Sequence, residues 1–255
     1  MRTVALAEAI GRLSSRLSDW GYVVKEVDDV STVPGLVELL GKSYLTPLSS
    51  PGHNDFTENN VIWLVAMKGD TPVFAGCARL EDIGRESISR YWSRTLKRAY
   101  GANSDAPVIE KVRPEVEKKL FGRLVYFGDL YVNSSERGSR VALRSFVALG
   151  HLAVSLKWDP DWIYCFVREE DLARGAGVIY GFSTLLPEPF NWLSPPPPRS
   201  NSEWLALLPR DEIWSFAGAS LRAALRSAGP RRDRSDNQQR VIKDAPAECV
   251  GSHGE

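Results

Sequence analysis

Residues 125–156, VYFGDLYVNSSERGSRVALRSFVALGHLAVSL, restrict the fold more than any other part of this chain. The stretch opens as a strand. Val125, Phe127, Leu130 and Val132 are apolar, and aromatic and β-branched side chains suit a pleated, half-buried surface. Asn133, Ser134, Ser135, Glu136, Arg137 and Gly138 then form a cluster of turn formers. Beyond them Val141, Leu143, Phe146, Leu149, Leu152 and Val154 recur at near-helical spacing. Strand, basic glycine-containing loop and long apolar helix, in that order, place a helix N-terminus beside the end of a buried strand. The unpaired N–H groups and the dipole there make a site for a phosphate or another anion.

At 255 residues the chain can hold one large domain or two small ones. Its 32 basic and 32 acidic residues cancel, so charge makes no general case for nucleic acid, and any basic patch has to be local. No run of about 18 apolar residues occurs, so no membrane span is expected. The opening MRTVALAEAIGRLSSRL sets Arg2 beside a short apolar run, as a signal peptide does. However, Glu8, Arg12 and Arg16 interrupt it, and Ile10, Leu13, Leu17 and Trp20 share one helical face, so a docked amphipathic helix is expected. Cys77, Cys165 and Cys249 stand far apart, and His53, His151 and His253 have no metal-ligand spacing; no metal is expected. Cys77 and Cys165, in expected strands, read as small buried hydrophobes, and the chain as cytoplasmic and reduced.

In chain order, residues 22–27 read as a strand and 33–40 as a short helix with Pro34 near its start. Residues 45–60, broken by Pro47, Pro51 and Gly52, read as a loop. The apolar run 61–67, a Lys68-Gly69-Asp70 turn and the return 72–80 form a hairpin, its first strand buried on both faces. Residues 85–101 have a basic helical pattern with Ile88, Tyr91, Trp92 and Leu96 as the apolar set. Arginines interleaved with aromatics point to a nucleic-acid surface or, on the plainer reading, to a solvated helix laid over the sheet edge. Residues 102–119 read as a connector with a short helix. A buried strand over 161–167, a short helix over 168–174, a proline-forced extended loop at 195–198, a last strand over 203–208 and a closing helix over 213–225 complete the order. From Gly229 the chain is polar and charged, and a disordered tail over 229–255 is expected.

A hairpin, a strand, a basic glycine-bearing loop, a long helix, another strand and a short helix ending in Gly181-Phe182 form a specific succession. Within it Arg137-Gly138-Ser139-Arg140-Val141-Ala142 resembles the Arg/Gln-x-x-Gly-x-Gly/Ala signature of the GNAT superfamily of acyl-CoA-dependent N-acyltransferases, and Asp129-Leu130-Tyr131-Val132 resembles the core strand of that family. The resemblance covers about residues 22–208. It implies an α/β (α+β) fold with a mixed, mostly antiparallel central sheet flanked by helices. It also implies one domain over 1–228 with a helical insertion near 84–120. Acetyl-CoA or another acyl-CoA is implied as co-substrate, with its pyrophosphate on Arg137, Gly138, Ser139, Arg140, Val141 and Ala142. The pantetheine arm would lie along Leu130, Tyr131 and Val132, where the family's core strand splays from its neighbour. Asp129 is the implied base, with Glu170 as a second candidate. Tyr180 is the implied general acid, although it stands only two residues before Phe182, nearer than is common in the family.

Three alternatives stay open at these residues. Arg140 occupies a position that is normally glycine, and its side chain either adds a phosphate contact or blocks the pyrophosphate. Asp129 either faces the acyl group or bonds to a neighbour across the sheet, and Tyr180 is either catalytic or packed in the core. The functional readings follow from these: an N-acyltransferase, a catalytically inactive GNAT-like binding module, or a nucleic-acid binder using Arg85 to Arg98, against which the zero net charge counts. The FAGCARLEDIG segment is also similar to acyl-homoserine-lactone synthases, which share the core and use longer acyl donors. The partners implied are acyl-CoA and an amine whose pocket is built from variable loops, here 45–60, 85–119 and the proline-rich segment. A homodimer is compatible with the sequence.

Overall fold

A computed structural model describes residues 2–101 and 106–227. Its centre is a seven-stranded mixed sheet in the order β1-β2-β3-β5-β6-β9-β7. The strands are β1 (Val23–Glu26), β2 (Val61–Lys68), β3 (Thr71–Gly84), β5 (Gly122–Val132), β6 (Trp162–Val167), β7 (Thr184–Pro187) and β9 (Trp204–Pro209). Every neighbouring pair runs antiparallel except β5 and β6. A two-stranded ribbon joins β4 (Ile109–Val112) to β8 (Phe190–Trp192). The helices are α1 (Arg2–Asp19), α2 (Val33–Leu39), α3 (Ile88–Tyr100), α4 (Pro114–Lys119), α5 (Arg140–Trp158), α6 (Glu169–Ala173), α7 (Ala176–Tyr180) and α8 (Ile213–Arg226).

The expected strand–loop–helix is present as β5, a short 3-10 turn over Ser134–Glu136, and α5. Helix α5 is apolar on nearly all sides because it is covered on nearly all sides: the sheet lies beneath it and α1 and α8 pack against it. Leu13 and Leu17 of α1 are fully buried in that layer, so the N-terminal amphipathic segment is docked as a helix. On the opposite face, Trp92 of α3 is buried over the middle of the sheet. Its indole N–H donates to the Tyr164 hydroxyl at 3.1 Å, and its ring packs against Phe166 and Phe190. That corrects the expectation of a helix over the sheet edge. Trp92 and Leu96 carry more burial than a solvated helix needs, and the partners of Trp92 lie on β6 and β8.

Strands β4, β7 and β8 have no counterpart among the sequence expectations. Each has only three or four residues beside a proline or a turn, too short to establish a period. Residues 84–120 hold α3, β4 and α4. The charged segment 229–255 lies outside the described residues. No helix among the described residues is long and apolar enough to cross a membrane.

His151 sits fully buried in α5, between the rings of Phe127, Phe182 and Phe216. Its Nε2 bonds to the Tyr180 carbonyl oxygen at 2.9 Å, which ties α5 to the end of α7. Burial pushes its pKa down from 6.5 to about 4, only partly offset by that bond. The folded state therefore binds fewer protons than the unfolded chain between these values. The stabilisation is fully present above pH 6.5 and is lost as pH falls toward 4. Between pH 7 and pH 5 this residue should remove about 2 kcal/mol of stability. In urea titrations at the two pH values, His151→Gln should show a correspondingly smaller loss over the same interval.

Candidate active site

Strands β5 and β6 pair in parallel only from Leu124–Trp162 to Tyr126–Tyr164, and then part. Strand β5 continues to Val132 and β6 to Val167, without further pairing between them. Two features bend β5 at this point. Its register with β3 slips between Gly128 and Tyr131, the mark of a bulge, and Asp129 adopts φ of 50°. That is left-handed backbone, which a short polar side chain tolerates better than a branched one. Gly128 is needed for a different reason. A β-carbon built there would collide with the Tyr126 ring.

The gap opens into a cavity of about 320 Å³ that reaches both faces of the sheet. Phe127 and Tyr180 line it from the α5 face, where Phe127 packs against His151 and Tyr180 is held by that same imidazole. Tyr126 and Phe166 line it from the α3 face, with Lys42, Tyr44, Arg199 and Glu203 brought in by loops. Asn133 donates its N–H to the Val73 carbonyl of β3 at 2.8 Å, so strand alternation turns the Val132 N–H toward the edge that β6 has left.

Asp129 stands at the middle of the opening with its side chain fully buried. Its Oδ1 accepts from the Lys42 ammonium and, at 2.8 Å, from the Thr46 hydroxyl; its Oδ2 has no partner. Glu203 repeats this pattern. One oxygen takes a 2.9 Å bond from Arg199 and the other is unpartnered. Arg199 is buried, donates to the Tyr100 hydroxyl at 2.8 and 3.0 Å and stacks near Phe166. Burial opposes its charge, but Tyr126, Tyr100 and Glu203 outweigh that and raise its pKa well above the ordinary value. Burial foremost, and then Cys165, raises the Tyr180 phenol, so at neutral pH it holds its proton and can donate it.

The basic loop leads from the end of β5 into α5, and none of its residues lines the cavity. Gly138 has φ of 108°, Ser139 is the residue before α5, and Arg137 and Arg140 are exposed with no side-chain partner among the described residues. The Arg140 side chain thus lies in solvent at the head of the helix. Beneath the loop Glu136 is buried and accepts from Tyr22 at 2.6 Å, Lys68 at 2.6 Å and Ser139 at 3.0 Å. Burial raises its pKa, and these three donors reverse the shift to a net lowering.

The structure thus brings Asp129, Leu130, Tyr131 and Tyr180 to one cavity, while Val132 and Arg137 through Ala142 are not among its lining residues. Glu170 is exposed on α6 and does not line the cavity. Lys42, Thr46, Arg199 and Glu203 escaped sequence reasoning. They are single polar residues in or beside loops, with no period or motif around them, although Thr46 and Arg199 lie in or next to two of the segments expected to build an acceptor pocket. Of the arginines in α3, Arg94 is paired with Glu86 and Arg98 with Asp55. Among the described residues no three His, Cys, Asp or Glu side chains gather where they could hold a metal ion.

No protein-family model matches this chain, and no curated protein sequence does. Solved structures overlap it at low identity. A polyamine N-acetyltransferase of Drosophila melanogaster is 16% identical with a TM-score of 0.43, covering 74% of this chain and 99% of its own. An aminoglycoside N(6′)-acetyltransferase of Legionella pneumophila is 10% identical with a TM-score of 0.41, covering 77% and 96%. An N-acyl amino acid synthase from uncultured soil microbes is 8% identical, also with a TM-score of 0.41, covering 76% and 94%. At these scores the overlap assigns neither activity nor substrate.

Lys42 compensates the buried charge of Asp129, so Lys42→Met should destabilise the fold by about 3 kcal/mol. Combining it with Asp129→Asn should cost less than the sum of the two single changes. A double-mutant cycle in urea reads both.

Proposed function

We propose that this chain is an acyl-CoA-dependent N-acyltransferase of the GNAT type. The observation that carries the reading is the cavity threaded through the gap between β5 and β6, with a glycine-bearing basic loop and the head of a 19-residue helix beside it. A strand edge without its neighbour offers backbone N–H and C=O groups to the amides of a pantetheine arm. The unpartnered Arg137 and Arg140, with the α5 N-terminus, offer charge and N–H donors to a pyrophosphate. A thioester bound this way arrives from the α5 face, and an amine from the α3 face meets it in the gap.

The chemistry asked of the residues is modest. The amine nitrogen attacks the thioester carbonyl, forming a C–N bond, and the oxygen that gains charge is stabilised by a backbone N–H of the opened strand edge. The unpartnered Oδ2 of Asp129 takes the proton that the amine gives up. When the C–S bond breaks, the departing thiolate takes a proton from Tyr180, whose burial keeps it protonated at neutral pH. Asp129 thus serves as base and Tyr180 as acid. Exposed Glu170 does not line the cavity and is given neither part.

Acetyl-CoA, or a longer acyl-CoA, should raise the melting temperature of the full chain. Ligand at one hundred times its Kd corresponds to about 2.7 kcal/mol of stabilisation. Arg137→Glu should abolish the shift, and Arg140→Glu should reduce it. No shift with any acyl-CoA up to millimolar concentration would sink the enzyme reading and leave a binding module. Once an acceptor is in hand, Asp129→Asn should lower kcat by about 100-fold or more.

A further inference from the structure

The unmet hydrogen-bonding capacity of the cavity is one-sided. Oδ2 of Asp129 and Oε2 of Glu203 are buried acceptors without donors, and both residues line the cavity. Their side chains are 0% and 4% exposed to bulk solvent, so a donor has to come from whatever occupies the cavity. A buried acceptor left unpaired is costly, and native proteins rarely keep one without a use. The two come from distant parts of the chain, β5 and the segment leading into β9, so neither is a by-product of the other's local geometry.

The cations of the cavity are already engaged. Lys42 is paired with Asp129, Arg168 with Asp171 at 2.7 Å, and Arg199 with Glu203 and Tyr100. No unpartnered buried donor belongs to a lining residue among those described. A ligand carboxylate would therefore have to displace an existing ion pair, whereas a ligand with N–H groups at two ends finds two open acceptors. Tyr44, Tyr126 and Phe166, which line the same space, favour cations over anions as aromatic neighbours.

We infer that the acceptor is a small amine with two cationic nitrogens, the reacting one received at Asp129 and the distal one anchored at Glu203. The inference rests on the acyltransferase reading and gives its acceptor a chemical class. It also gives the product a way out. The ammonium gives one proton to Asp129 before it attacks. The second passes, once the C–N bond has formed, to the Tyr180 oxygen that has protonated the departing thiolate. The neutral amide keeps a single N–H and no longer carries the charge that Asp129 held.

The test is calorimetric titration of the full chain with straight α,ω-diamines of about three to six carbons, a span suited to a pocket of this size. Each diamine is compared with the alkylamine and the ω-amino acid of the same length. The best diamine should bind on the order of tenfold more tightly than either comparator, the value of one charge-assisted hydrogen bond. Glu203→Gln should erase that preference while leaving the melting shift with acyl-CoA unchanged. Equal binding of diamine and alkylamine, tighter binding of the ω-amino acid, or no binding of any of them overturns the inference. If the variant does not fold, the ligand series on the unmodified chain decides alone. An acyl-CoA shift without diamine preference removes only the acceptor class. Diamine preference without an acyl-CoA shift removes the acyltransferase reading and retains a two-ended amine site.

Discussion

The short parallel pairing of β5 with β6 is the constraint on which the rest of the site depends. Three residues on each strand hold the two halves of the sheet together, and everything downstream of Tyr126 and Tyr164 diverges. Local chemistry keeps the strands apart. The bulge at Asp129 turns β5, the Tyr126 ring fills the space over Gly128, and Arg199 packs near Phe166 from the loop above. Had the pairing run on to Val132, the edge groups of β5 would be satisfied by β6 and no cavity would exist.

Charge inside the gap is handled by pairing rather than by exclusion. Asp129 with Lys42 and Glu203 with Arg199 are buried pairs in which each carboxylate keeps one oxygen uncommitted. A buried pair of this kind contributes little net stability, because desolvation offsets the attraction. Its value lies in holding a carboxylate in a fixed place and out of water, with lone pairs to spare. The same face carries a contrasting cluster in which Arg79, Glu81, Tyr164 and Trp92 satisfy one another, and Arg79 also reaches the Leu48 carbonyl and Asn54. That network fixes α3 and the 45–60 loop to the sheet and leaves nothing for a ligand.

The path from β5 through α5 was legible in the sequence because three independent signals coincide there: strand composition, a run of turn formers and helical periodicity. The hairpin of β2 and β3 was legible from two apolar runs around a Lys-Gly-Asp turn. The other wall of the cavity was not. Lys42, Thr46, Arg199 and Glu203 are placed by the path of irregular chain, and no periodicity records where such chain returns. Trp92 misled in a specific way. Surrounded in sequence by arginines, it belongs to a helix that reads as solvated, yet its ring is at the centre of the aromatic cluster on the α3 face.

Glu136 has a consequence for timing. Its carboxylate draws Tyr22 from the α1–β1 connection, Lys68 from the end of β2 and Ser139 from the α5 entrance onto one point. The basic loop is therefore held in shape by the protein's own charge before any anion arrives. On the proposed reading, an incoming phosphate would have only to shed water and replace it with fixed donors. Little chain entropy would be left to lose in such an encounter, so association at this edge would be governed by diffusion and ionic strength rather than by the folding of a loop.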